Sequence, residues 1–173
     1  AMIAQVLNID IELVLPENST KERTQTMRAY GAKVILTPAE EGIIGSRDYA
    51  DKKVAEGGYV MLNQFANNDN WQAHFKTTGP EIWRDTEGKV THFVAAMGTT
   101  GTIMGVSAYL KEQNPAIEII GLQPEDGASI PGIRRWPKAY MPGIFDKANV
   151  DKVMDISQTD AEQAMRRLAR EEG

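Results

Sequence analysis

Segments with the apolar pattern of a β-strand and segments with that of an α-helix follow one another along this chain. Residues 11–15 alternate apolar and polar positions and are followed by Pro16, which predicts a short strand. The next segment has a candidate N-cap at Ser19 or Thr20, which predicts a helix to about Tyr30. Further strands are predicted at 33–36, 59–62, 91–96, 117–123 and 150–156. Further helices are predicted at 1–7, 40–56, 71–85, 102–113 and 159–171, the last with Thr159 or Asp160 as its cap.

Strands and helices therefore alternate one by one, with short links between them. This order is typical of an α/β fold with doubly wound parallel sheets. One segment departs from it, because residues 124–149 are rich in proline and glycine and show no sustained period. A loop of that length inside a compact domain is usually functional.

Composition narrows the class of protein. The chain has 173 residues, 42% hydrophobic and 25% charged, as in an ordinary globular domain. Its net charge of −5 argues against binding to a nucleic-acid backbone as the main function. It has no cysteine, which excludes disulfides, thiolate metal sites and a cysteine nucleophile, and fits a cytoplasmic location. No apolar run is long enough to cross a membrane, and no metal site is predicted from the two isolated histidines.

The pentapeptide Gly98-Thr99-Thr100-Gly101-Thr102 lies between the predicted strand 91–96 and the predicted helix 102–113. A tight strand-to-helix turn presents free backbone N–H groups at the positive end of a helix dipole. The glycines allow close approach of a ligand to the backbone, and the threonine hydroxyls add donors. The pentapeptide therefore predicts an anion site suited to a phosphate.

Two common phosphate motifs do not fit this spacing. A P-loop requires lysine after its second glycine, whereas Thr102 follows Gly101 here. A dinucleotide-binding fingerprint requires Gly-x-Gly-x-x-Gly, whereas the glycines here are Gly98, Gly101 and Gly105. An ordinary turn between a strand and a helix remains the alternative.

Three further residues are candidates for ligand contact. Gln64 follows a predicted strand, and ligands of open α/β sheets collect at the carboxyl ends of strands. Arg134 and Arg135 stand beside Trp136 in the long loop, where two guanidinium groups are suited to clamp an anion. The alternatives are a turn-capping amide at Gln64 and two solvated surface arginines.

Three stretches of the chain carry a resemblance to one family. They are TTGPEIW at 77–83, GTTGTIMGVS at 98–107 and GLQPEDGASIPGIRRWPKAYMPGIFD at 121–146. They resemble the cysteine synthases (O-acetylserine sulfhydrylases), and the third is more similar to the B isozyme than to the A isozyme. Residues 13–37 are similar to the mobile lobe of that family, so the resemblance covers essentially the whole chain.

The resemblance implies a fold type II enzyme that uses pyridoxal 5'-phosphate (PLP), with two lobes of the tryptophan synthase β-like kind. Residues 1–58 are then part of the smaller mobile lobe and residues 59–173 part of the larger, cofactor-anchoring lobe. The pentapeptide 98–102 is expected to bind the PLP phosphate. Gln64 is expected to face the substrate carboxylate. Arg134 and Arg135 are expected to border the active-site entrance and to bear on substrate choice.

The Schiff-base lysine of the family is not among the matched residues. It stands in an N-terminal motif that precedes the matched region, and none of the ten lysines here occupies that motif. No catalytic residue is therefore predicted within residues 1–173. The chain is expected to be a central fragment, incomplete at both ends and inactive alone.

The expected activity of the parent enzyme is a PLP-dependent β-replacement. It would form L-cysteine from O-acetylserine or O-phosphoserine with sulfide or thiosulfate, as a cytoplasmic homodimer. One alternative is another fold type II enzyme, such as cystathionine β-synthase or serine dehydratase. The other is a phosphate-binding fragment without catalytic activity.

Overall fold

The computed structural model describes residues 1–173, which divide into two compact units, Ala1–Leu62 and Asn63–Gly173. The lobe boundary expected from the sequence lies after residue 58. The assignment of these units to a mobile lobe and a cofactor-anchoring lobe stays a prediction. None of the helices combines the length and the apolar composition that crossing a bilayer requires.

The first unit is a pair of parallel strands with helices. Its register runs from Glu12 opposite Lys33 to Pro16 opposite Thr37. A hydrogen bond of 2.7 Å between the buried hydroxyls of Thr37 and Ser46 ties the third helix to the second strand. The elements are α1 (Met2–Val6), β1 (Glu12–Pro16), α2 (Lys21–Ala29), β2 (Lys33–Thr37), a 3₁₀ turn (Ala39–Glu41) and α3 (Gly42–Glu56).

The second unit is built on a three-stranded parallel sheet with the order β3-β4-β5. Both units thus consist of parallel strands and helices, which confirms the α/β class. The long loop after β4 contains only two short 3₁₀ turns, Lys138–Tyr140 and Lys147–Asn149. The elements are α4 (Asn68–Lys76), α5 (Thr78–Asp85), β3 (His92–Ala96), α6 (Gly101–Gln113), β4 (Glu118–Pro124), β5 (Lys152–Ile156) and α7 (Gln158–Glu171).

The core of the second unit is centred on α6. Val106 and Leu110 of this helix are completely buried, as is Ile119 of β4. Helix α6 also packs closely on α4, because position 105 is a glycine. A Cβ atom at Gly105 would lie 2.1 Å from the main-chain oxygen of Trp71, well inside van der Waals contact. The two helices can approach this closely only where no side chain separates them.

Three secondary-structure predictions are wrong. Residues 59–62 form no strand, since no neighbouring strand pairs with them, and Val60 is 94% exposed. The predicted helix 71–85 is two helices, which break at Thr77 rather than at Gly79 and Pro80. A proline in the first turn of α5 is compatible with the helix, because that N–H has no helical acceptor. The cap of α7 is Ser157, whose hydroxyl accepts from the N–H of Asp160 at 3.0 Å.

Candidate functional site

The pentapeptide forms the connection from the carboxyl end of β3 to the amino end of α6. Helix α6 begins at Gly101, and the N–H of Met104 donates to Thr100 O at 3.0 Å. The N–H groups of the first turn therefore have no acceptor within the helix. They stand at the positive end of the helix dipole, where an anion is stabilised.

Thr100 has an unusual conformation in this turn. Its φ of +70° and ψ of −2° place it in the left-handed region, which a β-branched residue rarely adopts. Its side chain is buried, with 4% of the residue exposed, and its hydroxyl has no hydrogen-bond partner. Both features are costly, and such strain is typical of ligand sites.

The hydroxyl of Thr99 can donate its proton to a bound ligand. Its oxygen accepts from Asn70 Nδ2 at 3.2 Å and from the N–H of Gly101 at 3.4 Å. A hydroxyl has two acceptor positions and one proton. With both acceptor positions used, the Thr99 hydroxyl can only donate further.

The hydroxyl of Thr102 lies 3.3 Å from Nε2 of His74. The other ring nitrogen of His74 lies 2.9 Å from the hydroxyl of Thr78. His74 and Asn70 are four residues apart on α4, so both face the pentapeptide from one side of that helix. Neither residue is predicted from the sequence as part of the site. The only signal was the i, i+4 spacing of two hydrogen-bonding side chains ahead of α5.

Gln64 is joined to the pentapeptide through Asn70. Nδ2 of Asn70 donates to the main-chain oxygen of Gln64 at 2.6 Å as well as to Thr99. The side chain of Gln64 belongs to an exposed residue in the turn before α4. Contact of that side chain with a substrate carboxylate stays a prediction.

The long loop is attached at the edge of the pentapeptide. The indole N–H of Trp136 donates to Gly98 O at 2.7 Å, and the N–H of Arg134 donates to Met97 O at 2.8 Å. A Cβ atom at Gly98 would lie 3.0 Å from Gly132 O, so the absence of a side chain lets the loop come close. The loop therefore borders the candidate site directly.

The two arginines of this loop have different surroundings. Arg135 forms an ion pair with Asp155 and donates from Nε to Pro124 O at 2.8 Å. The pKa of Asp155 lies below its ordinary value because its carboxylate accepts from Gln123 and pairs with Arg135. Arg134 instead donates to the neighbouring Ile133 O at 2.8 Å and has no carboxylate partner. Arg134 is therefore the better placed of the two to meet an anion, and a substrate role for either stays a prediction.

The donors of the site fit a phosphate group. The Thr99 hydroxyl has its proton available, the buried Thr100 hydroxyl has no partner, and the first turn of α6 offers free N–H groups. The pentapeptide carries no carboxylate that would repel an anion. A phosphate oxygen would supply the acceptor that the Thr100 hydroxyl lacks.

Replacement of Thr100 by glycine is expected to separate stability from binding. Glycine removes the left-handed strain and the unpaired hydroxyl, which together outweigh its entropic cost, so the free energy of unfolding should rise by about 1 kcal/mol. Affinity for inorganic phosphate should fall about tenfold with the loss of a charge-assisted hydrogen bond. Denaturant unfolding and phosphate titration measure the two effects. Thr100→Ser, which keeps the hydroxyl, should retain the affinity; equal affinities in all three proteins would contradict the role of the hydroxyl.

Known proteins are similar to this chain over its whole length. The family described as "Pyridoxal-phosphate dependent enzyme" matches residues 1–173. Cysteine synthase B of Pseudomonas aeruginosa is 59% identical over 100% of this chain and 58% of its own length. Cysteine synthase B of Salmonella typhimurium is 56% identical over 100% of this chain and 57% of its own length. The expected resemblance to the B-type cysteine synthases is confirmed.

Solved structures of cysteine synthases and related enzymes have a similar fold. The crystal structure of a cysteine synthase from Entamoeba histolytica matches with a TM-score of 0.85 and 34% identity, covering 96% of this chain and 52% of that one. The crystal structure of O-ureido-L-serine synthase matches with a TM-score of 0.88 and 31% identity, covering 99% of this chain and 57% of that one. The chain thus spans less than two thirds of the length of these relatives.

Proposed function

Because the chain belongs to the family of pyridoxal-phosphate dependent enzymes, we propose that Gly98–Thr102 binds the phosphate group of PLP. The observation that carries this proposal is the buried, unpartnered hydroxyl of Thr100 beside the free N–H groups of α6. When bound, PLP supplies an electron sink for reactions at the α-carbon of an amino acid. The residues of this chain hold and orient it.

Each part of the pentapeptide has a distinct task in this proposal. The N–H group of Thr102 binds a phosphate oxygen at the positive end of the α6 dipole. The hydroxyls of Thr99, Thr100 and Thr102 add donors. Gly98 leaves room for the long loop at the edge of the site.

A comparison of PLP with pyridoxal tests the phosphate site. Pyridoxal has the same ring and aldehyde but no phosphate, so the 173-residue chain should bind PLP much more tightly than pyridoxal. Inorganic phosphate should compete with PLP. Binding is measured by the absorbance and fluorescence of the pyridine ring. Equal affinities for PLP and pyridoxal would contradict the proposal.

The activity proposed for the enzyme is that of the B-type cysteine synthases, β-replacement at O-acetylserine or O-phosphoserine by sulfide or thiosulfate. The support is the identity of 54–59% to three relatives named cysteine synthase B. Gln64 is proposed to bind the substrate carboxylate. A cystathionine β-synthase or serine dehydratase activity is the alternative, and analysis of the amino-acid product separates the two. A phosphate-binding fragment without catalysis is the other alternative.

The intact mass of the protein from its source distinguishes an enzyme from a phosphate-binding fragment. A mass well above 19.1 kDa would support an enzyme that also carries the Schiff-base lysine, and borohydride reduction with PLP should then give a covalent adduct. A mass of 19.1 kDa would restrict the chain to phosphate binding. Homodimer formation and a cytoplasmic location remain predictions, for sedimentation and cell fractionation to test.

Arg134 is proposed to select the more anionic substrate. In the active enzyme, Arg134→Ala should lower kcat/KM for O-phosphoserine about tenfold more than for O-acetylserine, since it removes one charge-assisted contact to the phosphate. Steady-state kinetics with both substrates measure this ratio. Arg135→Ala is the control, because it breaks the pairing with Asp155 and should affect both substrates equally. An equal loss for both substrates in Arg134→Ala would contradict the proposal.

A further inference from the structure

His74 lies between two hydroxyls, that of Thr102 in the phosphate site and that of Thr78 at the start of α5. Its Nε2 is 3.3 Å from Thr102 Oγ1, and its Nδ1 is 2.9 Å from Thr78 Oγ1. We propose that His74 is a positioning residue that, with phosphate bound, carries its proton on Nε2 and accepts from Thr78 at Nδ1, so that it donates to Thr102 and leaves the Thr102 proton for phosphate. This inference rests on the proposed function of the site.

The contact between Thr102 and His74 can form in two ways, which differ in the position of the protons. The Thr102 hydroxyl has one proton, and neutral His74 has one proton shared between two ring nitrogens. If Nε2 carries the ring proton, Thr102 accepts from His74 and its own proton is free. If Nδ1 carries it, Nε2 is an acceptor, and Thr102 gives its only proton to His74.

A bound phosphate distinguishes the two arrangements. In the first, Thr102 donates to a phosphate oxygen and forms a charge-assisted hydrogen bond. In the second, the lone pairs of Thr102 face the anion, and the site loses one donor. Phosphate binding therefore favours the proton on Nε2. The Thr78 hydroxyl completes that arrangement, because it can donate to the lone pair of Nδ1.

Asn70 acts on Thr99 in the same way. Its Nδ2 group can only donate, and it donates to Thr99 Oγ1 at 3.2 Å. Asn70 and His74 lie one helical turn apart on α4. Helix α4 thus presents a donor to each of two hydroxyls in the site, and each hydroxyl keeps its proton for the ligand.

The tautomer is measured directly by NMR of the imidazole nitrogens in the unsubstituted chain, in mildly alkaline buffer with and without inorganic phosphate. The chain has only two histidines, and His92→Asn assigns the signals. His92 lies elsewhere, beside Thr91 and Glu118. With saturating phosphate, His74 should show a protonated Nε2 and an unprotonated Nδ1. A protonated Nδ1 with a bare Nε2 would overturn the proposal.

A double-mutant cycle tests whether His74 acts through Thr102. His74→Phe should weaken binding of inorganic phosphate about fivefold, the value of one hydrogen bond. In a Thr102→Val background, the same change should have no further effect. His74→Gln, whose amide can donate to Thr102, should recover most of the affinity. Equal losses from His74→Phe in both backgrounds would overturn the proposal, because a purely structural role does not depend on the Thr102 hydroxyl.

The same titrations separate this inference from the proposed function. If the unsubstituted chain binds neither inorganic phosphate nor PLP, the phosphate site itself is wrong and the inference falls with it. If the chain binds both and the cycle is additive, only the role of His74 is wrong. Denaturant unfolding of each variant verifies that the comparison is between folded proteins.

Discussion

Gly105→Ala is expected to lower the free energy of unfolding by about 3 kcal/mol, at the upper end of overpacking effects. The added methyl would lie 2.1 Å from Trp71 O and 2.8 Å from the N of Phe75, both main-chain atoms of α4. A helix backbone cannot yield as a side chain does, so α4 and α6 must separate. The higher helix propensity of alanine recovers only about 1 kcal/mol.

Denaturant unfolding of Gly105→Ala measures this loss, and Gly143→Ala is the matched control. A Cβ atom at Gly143 would lie 3.4 Å from the nearest atom, the Cβ of Ala66, which is ordinary contact. The control should therefore change stability by less than about 0.5 kcal/mol. If Gly105→Ala were as stable as the control, the close approach of α4 and α6 would be wrong.

Gly101→Ala is expected to lower the affinity for inorganic phosphate and PLP at least about tenfold, by displacing Asn70. The new methyl would lie 1.9 Å from Asn70 Oδ1 and 2.6 Å from its Cγ. The amide must rotate away and lose its bonds to Gln64 O and Thr99. The Thr99 hydroxyl is then free to rotate, so the site is less well ordered for an anion.

Phosphate titration measures this effect, and a second substitution identifies its cause. Asn70→Ala removes the atoms that the new methyl would strike. The double variant Gly101→Ala/Asn70→Ala should therefore bind phosphate no more weakly than Asn70→Ala alone. Additive losses would mean that the methyl blocks the ligand itself rather than acting through Asn70.

Local sequence signals predicted most of the elements and the turn between β3 and α6 that is the candidate phosphate site. The periods of apolar residues reflect which face of each strand or helix is buried, and that property is local. Gly98 and Gly101 mark a turn whose donors are mostly its own N–H groups and hydroxyls. Such a turn needs few distant partners, so the pentapeptide can be predicted as a candidate anion site from its own residues.

Contacts across long stretches of sequence could not be predicted in this way. Asn70 and His74 meet hydroxyls 29 and 28 residues further along the chain. Arg135 pairs with Asp155 on β5, which no pattern around Arg135 indicates. Residues 59–62 have the composition of a strand, but a strand forms only where a partner strand is available. Each of these outcomes depends on the packing of separate elements.

The two hydrogen bonds of the Asn70 amide, to Gln64 O and to Thr99, matter for the transfer of loops between related enzymes. One side chain sets the position of the turn at 64–66 and the direction of a hydroxyl in segment 98–102. A chimera that exchanges only one of these segments would keep only one partner of the hydrogen bond between Asn70 and Thr99. Residues 64–74 and 98–102 are therefore coupled through Asn70, and a graft of either segment has to move both together.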